Sequence, residues 1–211
     1  MQGTDDRPYY GTSTTGYCIA KYYNPAEYVD LRFKGSVDSP IFRYAEILLI
    51  RAEAGAELGE DPELDKTINL LRQRAGLTFM LSPNPPAEGE DPNMIEKYPV
   101  IKGPNAWLIR EIRRERRVEL FGEGLRYMDI LRWHAGDLLN RPKRGAKSNM
   151  YTAQELSYLT GKVPIKDGFI MPYDLRVDYK PNFTEKNYLF NIPLNEISLN
   201  PNLLPQNPGW E

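Results

Sequence analysis

The sequence predicts a mainly α-helical protein in which tetratricopeptide-like helix hairpins are wrapped by long irregular loops and a few short strands. Apolar residues recur every three or four positions in four stretches, which are bounded by capping residues, proline or glycine. Neighbouring stretches are joined by only a few residues, which is typical of antiparallel helix pairs. The 211 residues also include 18 prolines and 16 glycines, so the remaining chain is expected to be irregular.

The first helix hairpin is expected to begin at Ser39-Pro40, which offers a cap and a proline for the first helical position. Gly59 lies where the apolar pattern of this helix ends. A second helix is expected to begin at Asp61-Pro62 and to end at Gly76. The short join between them predicts that the two helices are antiparallel.

The second helix hairpin is predicted from residues 105–121 and 124–135. Gly122 and Gly124 supply the break, because glycine readily adopts the left-handed conformation that ends helices. Between the two hairpins, residues 81–104 hold six prolines. We expect this insertion to be a surface excursion rather than a part of the core.

The C-terminal third is expected to be mostly irregular. Residues 140–167 are basic, and one short helix is expected at 152–159, where the spacing of a capping box occurs. Short extended pieces are expected at 169–171 and 188–192, because prolines separate these apolar stretches.

The predicted elements divide the chain at residue 37. Residues 1–37 are expected to form a tyrosine-rich extended segment, and residues 38–211 a helical domain. That domain includes the proline-rich insertion 81–104 and an extended tail, 168–211. With 41% hydrophobic residues, the chain can bury one sizeable core.

Charged residues occupy the apolar faces of the second hairpin. Glu115 and Glu119 share the apolar face of its first helix. Asp129 and Arg132 lie on the inner face of its second helix. We expect the three carboxylates to face Arg126 and Arg132 across a desolvated seam between these two helices.

These acids are interpreted as members of a structural ion network. Two carboxylates in one cleft would suit glycoside hydrolysis. However, each acid has an arginine within one helical turn, and an ion pair lowers the pKa of a carboxyl group, whereas a general acid needs a raised pKa. We therefore assign no catalytic residue. The neighbouring charged run, 110–117, is expected to be a solvated helix face.

Composition excludes several classes of function. The formal net charge is −2, which argues against a nucleic-acid partner. One cysteine, Cys18, cannot form an internal disulfide, and one histidine, His134, cannot build a multi-histidine metal site. We expect neither a metal nor a cofactor. The longest apolar run, 47–50, is far too short to span a membrane, and no signal peptide is visible.

Several separated motifs occur in a characteristic order. The first is Arg43, Glu46, Leu49 and 52–54 (Ala-Glu-Ala), and the second is the block 115–133. The last are Pro-Leu-Asn-Glu-Ile at 193–197 and Gln-Asn-Pro-Gly at 206–209. In this order they resemble the C-terminal region of the SusD/RagB family of outer-membrane nutrient-binding lipoproteins, over about 17–210. The motifs add Arg43 and Glu46 to the expected ion network.

The resemblance implies a function and a location. It implies a non-catalytic component that binds an oligosaccharide or polysaccharide and delivers it to a TonB-dependent, SusC-like outer-membrane transporter. It also implies the outer surface of the outer membrane, with a lipid anchor in an N-terminal region absent from this chain. The chain is therefore expected to be a C-terminal fragment of such a protein.

Candidate sugar-binding residues lie near the N-terminus. Aromatic rings bind the C–H faces of sugars, and planar polar side chains bind their hydroxyl groups. Of the 14 tyrosines, six fall in the first 28 residues. Tyr9 and Tyr10, beside Pro8 and Gly11, are the most loop-like, and Arg7 could supply a polar contact. The alternative is that these tyrosines pack on the helices as a structural element.

Two other functions stay open from the residues alone. One is a glycoside hydrolase that uses Glu115, Glu119 or Asp129. The other is a peptide-binding helical-repeat scaffold, which the hairpins alone would suit.

Overall fold

The computed structural model describes residues 15, 17, 19, 21, 22, 38, 40–157, 163–174 and 180–211. The chain divides into two compact units. The helical unit is Asn24–Ala135, and the C-terminal unit combines Met1–Tyr23 with Gly136–Glu211. Among the described residues, no helix has the length and apolarity that a membrane span requires.

The helical unit contains five helices within its described residues. They are α1 (Tyr44–Leu58), α2 (Ile68–Arg74), α3 (Pro92–Lys97), α4 (Ala106–Glu119) and α5 (Arg126–Arg132). A 3₁₀ turn, Leu64–Lys66, precedes α2. The mainly α-helical fold class predicted from the sequence is confirmed.

The helices of the first hairpin begin later than the sequence predicts. Arg43 has extended backbone dihedral angles, so α1 begins at Tyr44 and not at Pro40. Glu63 adopts a left-handed conformation, with a φ of 49°, which interrupts the predicted second helix. Gly59 ends α1 as predicted, because its φ of 73° lets its backbone N–H bind the carbonyl groups of the last turn.

The core of the helical unit lies among α1, α2 and α4. Leu49, Ile68 and Ile112 are fully buried, one from each of these helices. Their apolar faces recur with helical spacing, which is the pattern that predicted the hairpins.

The insertion 81–104 is part of this packing, contrary to the expected surface excursion. Leu81, Met94 and Tyr98 are buried. The side chain of Asn69 binds Leu81 twice, since its Oδ1 accepts from the backbone N–H at 2.7 Å and its Nδ2 donates to the carbonyl at 3.2 Å. The insertion also forms α3, which Asp91 caps by accepting a hydrogen bond from a backbone N–H.

The C-terminal unit has short elements joined by irregular chain. Its described helices are α6 (Asp137–Asn140), α7 (Ala153–Ser157) and α8 (Leu194–Leu199), with 3₁₀ turns at Ser148–Met150, Glu185–Tyr188 and Pro201–Leu203. The strands β1 (Ile165–Lys166) and β2 (Phe169–Ile170) form an antiparallel pair. Ile165 pairs with Ile170, and Lys166 with Phe169.

The stretch 188–192, which is expected to be extended, begins at the end of a 3₁₀ turn, has extended backbone at Leu189 and has no strand partner among the described residues. The amide of Gln206 instead binds both backbone groups of Ile192, at 2.8 and 2.9 Å. The indole N–H of Trp210 donates to the carbonyl groups of Lys186 and Leu189. Side chains thus satisfy the backbone groups that a β-ladder would otherwise satisfy.

Candidate functional site

A buried carboxylate, Glu53, joins two helices of the helical unit, α1 and α5. It lies on α1 and accepts hydrogen bonds from Arg132 at 2.7 and 2.6 Å and from the indole N–H of Trp133. Burial raises the pKa of Glu53, but the hydrogen bonds and charge of Arg132 outweigh it, so its pKa is lower than usual. Glu53 is therefore ionised at neutral pH.

Asp129 on α5 continues this network. Both of its carboxylate oxygens accept from Nε of Arg116, at 2.9 and 2.8 Å, and Arg132 donates to the same group at 3.0 Å. Asp129 is 3% exposed and Arg116 is 5% exposed. Asp129 is buried, as its predicted position on an inner face requires, whereas the side chain of Arg132 is 45% exposed, contrary to its predicted position.

Glu115 and Glu119 bind other partners than those predicted. Arg72 on α2 donates to Glu115 at 2.9 Å. Glu119 pairs with Arg43 and Arg74, each at 2.7 Å. The expected pairing with Arg126 and Arg132 is wrong for these two acids, because the charged face of α4 turns toward the first hairpin at this end of the helix.

Two further predicted network residues also differ from expectation. Arg126 donates to the hydroxyl of Tyr98 at 3.3 Å and lies over Trp133, with 5.3 Å between guanidinium carbon and ring centroid. Glu46 is half-buried and forms no ion pair with any residue of the described chain. The sequence motif that contains Glu46 gave no information on its contacts.

The ring of Trp133 is surrounded by cations. Arg113 and Arg132 lie 4.7 and 4.8 Å from its centroid, in addition to Arg126. Tyr98 meets it edge to face at 5.9 Å. Such guanidinium stacking is favourable because the ring face carries partial negative charge. Trp133 therefore holds several arginines in a closely packed cluster.

A groove of about 500 Å³ opens beside this cluster. Its charged and aromatic lining comprises Glu53, Glu57, Arg113, Arg116, Arg132 and Trp133. Arg113 donates to Glu57 at 3.0 Å, and burial lowers the pKa of Arg113. Both carboxylates in this lining are bound by an arginine, whereas Nε and Nη1 of Arg113 and Nη1 of Arg116 are buried without a hydrogen bond.

The charged run 110–117 is not the solvated face expected from its composition. Arg110, Glu111, Arg113 and Arg116 are buried. Arg110 binds Glu90 with two hydrogen bonds, at 2.7 and 2.9 Å, so it fastens the insertion to α4. The pKa of Glu111 is raised by burial, although Arg114 lies 2.8 Å away.

The sequence reasoning missed Arg72, Arg116 and Glu53 as network members. Arg116 and Glu53 could have been found in the same way as Asp129, because each is a charged residue on a helix that packs in the core. The predicted ligand-binding residues Arg7, Tyr9 and Tyr10 lie outside the described residues, as does Cys18. Within the described chain, no cluster of histidine, cysteine and acidic residues could hold a metal ion.

Comparison with known proteins identifies the class. A family model described as the SusD family matches residues 1–210, and the chain belongs to this family. The family predicted from the sequence is thus confirmed.

Individual relatives agree with this assignment. SusD-like protein P2 of Formosa agariphila is 29% identical over 196 residues, which cover 91% of this chain and 30% of that protein. SusD-like protein P38 of the same organism is 29% identical over 127 residues, which cover 58% of this chain and 22% of that protein. The chain therefore spans less than a third of these relatives.

A solved structure supports the fold. The crystal structure of a SusD-like protein from Bacteroides fragilis superposes with a TM-score of 0.52 over 81% of this chain and 25% of that one. The two sequences are 24% identical in the superposition. The likeness extends the family assignment to the three-dimensional fold.

Proposed function

We propose that this protein is a non-catalytic, glycan-binding component of an outer-membrane nutrient uptake system. It delivers oligosaccharide or polysaccharide fragments to a TonB-dependent, SusC-like transporter. Membership of the SusD family carries the proposal, because the matched region includes almost the whole chain. We place the protein at the outer surface of the outer membrane, held by a lipid anchor.

The ion pairs of the helical unit support a non-catalytic role. Glycoside hydrolysis needs one carboxyl group with a raised pKa and a second, ionised carboxylate in the same cleft. Glu53 has a lowered pKa and is held by Arg132. Glu111 has a raised pKa, but it is buried and adjoins Arg114 rather than an open cleft.

We assign the sugar contacts to Tyr9, Tyr10 and Arg7. Two adjacent rings could stack on the C–H faces of successive sugar units, while Arg7 could bind hydroxyl groups. Replacing Tyr9 and Tyr10 by alanine should weaken glycan binding by about tenfold or more. Affinity gel electrophoresis against a set of polysaccharides measures this loss.

Tyr44→Ala provides the matched control, because Tyr44 is an exposed tyrosine of the helical unit. It should leave glycan binding unchanged. A steep fall in the thermal midpoint of the Tyr9 and Tyr10 variant would show that these rings are structural. Release of reducing ends from a bound glycan would contradict the non-catalytic role, and failure to copurify with a TonB-dependent transporter would contradict the delivery role.

A further inference from the structure

The C-terminal unit contains a basic segment, residues 141–147, that the proposed function does not use. It carries four cations, Arg141, Lys143, Arg144 and Lys147. Together with residues 163–174, which include the hairpin of β1 and β2, it has five cations and two carboxylates, although the whole chain has a net charge of −2. Positive charge is therefore concentrated in residues 141–147 and 163–174.

Backbone hydrogen bonds anchor the middle of the basic segment, at Gly145 and Ala146. The N–H of Gly145 donates to the carbonyl of Ile170 at 2.7 Å, and the N–H of Ile170 donates to Ala146 at 3.0 Å. On its other side, the N–H of Ala146 donates to Thr15 at 2.8 Å. A side chain at Gly145 would lie only 2.7 Å from the carbonyl oxygen of Thr15, so glycine permits this close approach.

Two exposed cations of the segment share one aromatic ring. The guanidinium of Arg144 lies 5.0 Å from the ring centroid of Phe169, and the ammonium of Lys147 lies 5.9 Å from it. Neither cation forms an ion pair with a described residue, whereas the neighbouring Lys166 is paired with Asp174 at 2.6 Å. Phe169 thus keeps two solvent-exposed cations close together, on a segment whose backbone is hydrogen-bonded to Ile170 of β2.

We propose that Arg144 and Lys147 bind the anionic substituent of an acidic polysaccharide, a uronate carboxylate or a sulfate ester. The proposal rests on the glycan-binding function above and names the class of glycan. Exposed guanidinium and ammonium groups form charge-assisted hydrogen bonds with such oxygens. Arg144 is also less strongly hydrated than an ammonium group, which favours direct contact with the anion.

The geometry favours an acidic sugar over a nucleic acid. Binding of single-stranded nucleic acid relies on aromatic rings whose faces are open for bases to stack. The ring of Phe169 is half-buried, and Arg144 and Lys147 both lie against it. An anionic group needs only the outward N–H groups of these cations, so it can bind without access to the ring.

The test compares polygalacturonate with its fully methyl-esterified form, which has the same sugar backbone without the carboxylates. The purified chain should bind polygalacturonate at least about tenfold more tightly in affinity gels at low salt. The double variant Arg144→Gln, Lys147→Gln should lose this preference. Its charge-preserving counterpart, Arg144→Lys with Lys147→Arg, should keep most of it.

Lys180→Gln is the matched control, since it removes an exposed cation of the same unit that is not part of residues 141–147. It should not change the preference, and thermal midpoints should show that all variants fold. Dextran sulfate and dextran, used as a second pair, distinguish sulfate from carboxylate recognition.

Three results would overturn the inference. The first is equal binding within both pairs, polygalacturonate against its ester and dextran sulfate against dextran, which would leave the proposed glycan-binding function intact. The second is equally tight binding of single-stranded DNA or anionic phospholipid vesicles, which would indicate unspecific attraction of polyanions. The third is an unchanged preference in the double glutamine variant. Absence of binding to every polysaccharide would instead contradict the proposed function itself.

Discussion

Replacing Asp129 by alanine tests whether the buried ion network stabilises the helical unit. The substitution removes the acceptor of two hydrogen bonds from Arg116 and of one from Arg132. Arg132 keeps Glu53 as a partner. Arg116 loses its carboxylate partner, and its Nη1 is already buried without a hydrogen bond.

The expected loss follows from leaving Arg116 buried and unpaired. Removing one partner of a buried ion pair costs about 3–5 kcal/mol, because the remaining charge cannot recover its hydration. Glu46→Ala is the control, since it removes a half-buried acid of the same unit that has no ion-pair partner in the described chain. Its cost should stay below about 1 kcal/mol, which is the usual range for an acid in the first turn of a helix.

Chemical denaturation of both variants measures these free energies of unfolding. A double variant, Asp129→Leu with Arg116→Met, adds a second test, because replacing a buried ion pair by apolar residues of similar size often restores stability. It should be more stable than Asp129→Ala. The reasoning is refuted if Asp129→Ala costs less than about 1 kcal/mol, a value typical of a solvated pair.

Two further outcomes are expected. Burial raises the pKa of Glu111 above its ordinary value of 4.5, so the folded state binds more protons than the unfolded state above that pH. The stability that this proton binding contributes is present at low pH and is lost as the pH rises through the folded pKa. Relative to the native protein, the stability of Glu111→Gln should therefore increase as the pH rises from about 4.5 through the folded pKa of Glu111, in denaturation at several pH values; a constant difference would contradict this sign. Asn69→Ala should cost about 2–4 kcal/mol, because it leaves both backbone groups of Leu81 buried without their partners. If Asn69→Ala lowers the free energy of unfolding no more than replacement of an exposed asparagine, such as Asn93→Ala, then Asn69 does not hold the insertion in place.

The sequence contained enough local information to place the hairpins. The helix end at Gly59 and the break at Gly122, three residues beyond the end of α4, follow from the conformational freedom of glycine, and both residues have a positive φ in the structure. Helix starts were harder to place. Arg43 and Glu63 are ordinary helix formers, so their extended and left-handed conformations do not follow from intrinsic preference.

The network residues could be found from the sequence more readily than their partners. Asp129 is conspicuous because a carboxylate on a core-facing helix position requires a partner. Glu115 carries the same signal, but its partner Arg72 lies 43 residues away in sequence, so only the packing of the two hairpins brings them together. The pairing of buried ions therefore depends on tertiary geometry that helical periodicity does not contain.

The order of charges along α4 explains why these ions restrict how the unit can pack. Arg110 binds the insertion through Glu90, Arg116 binds α5 through Asp129, and Glu119 binds the first hairpin through Arg43 and Arg74. These contacts point in different directions from one helix. Rotating α4 by one residue would break several of them together and leave the ions buried without partners, at several kcal/mol for each. An entirely apolar helix would meet no such penalty, because alternative rotations would bury similar areas.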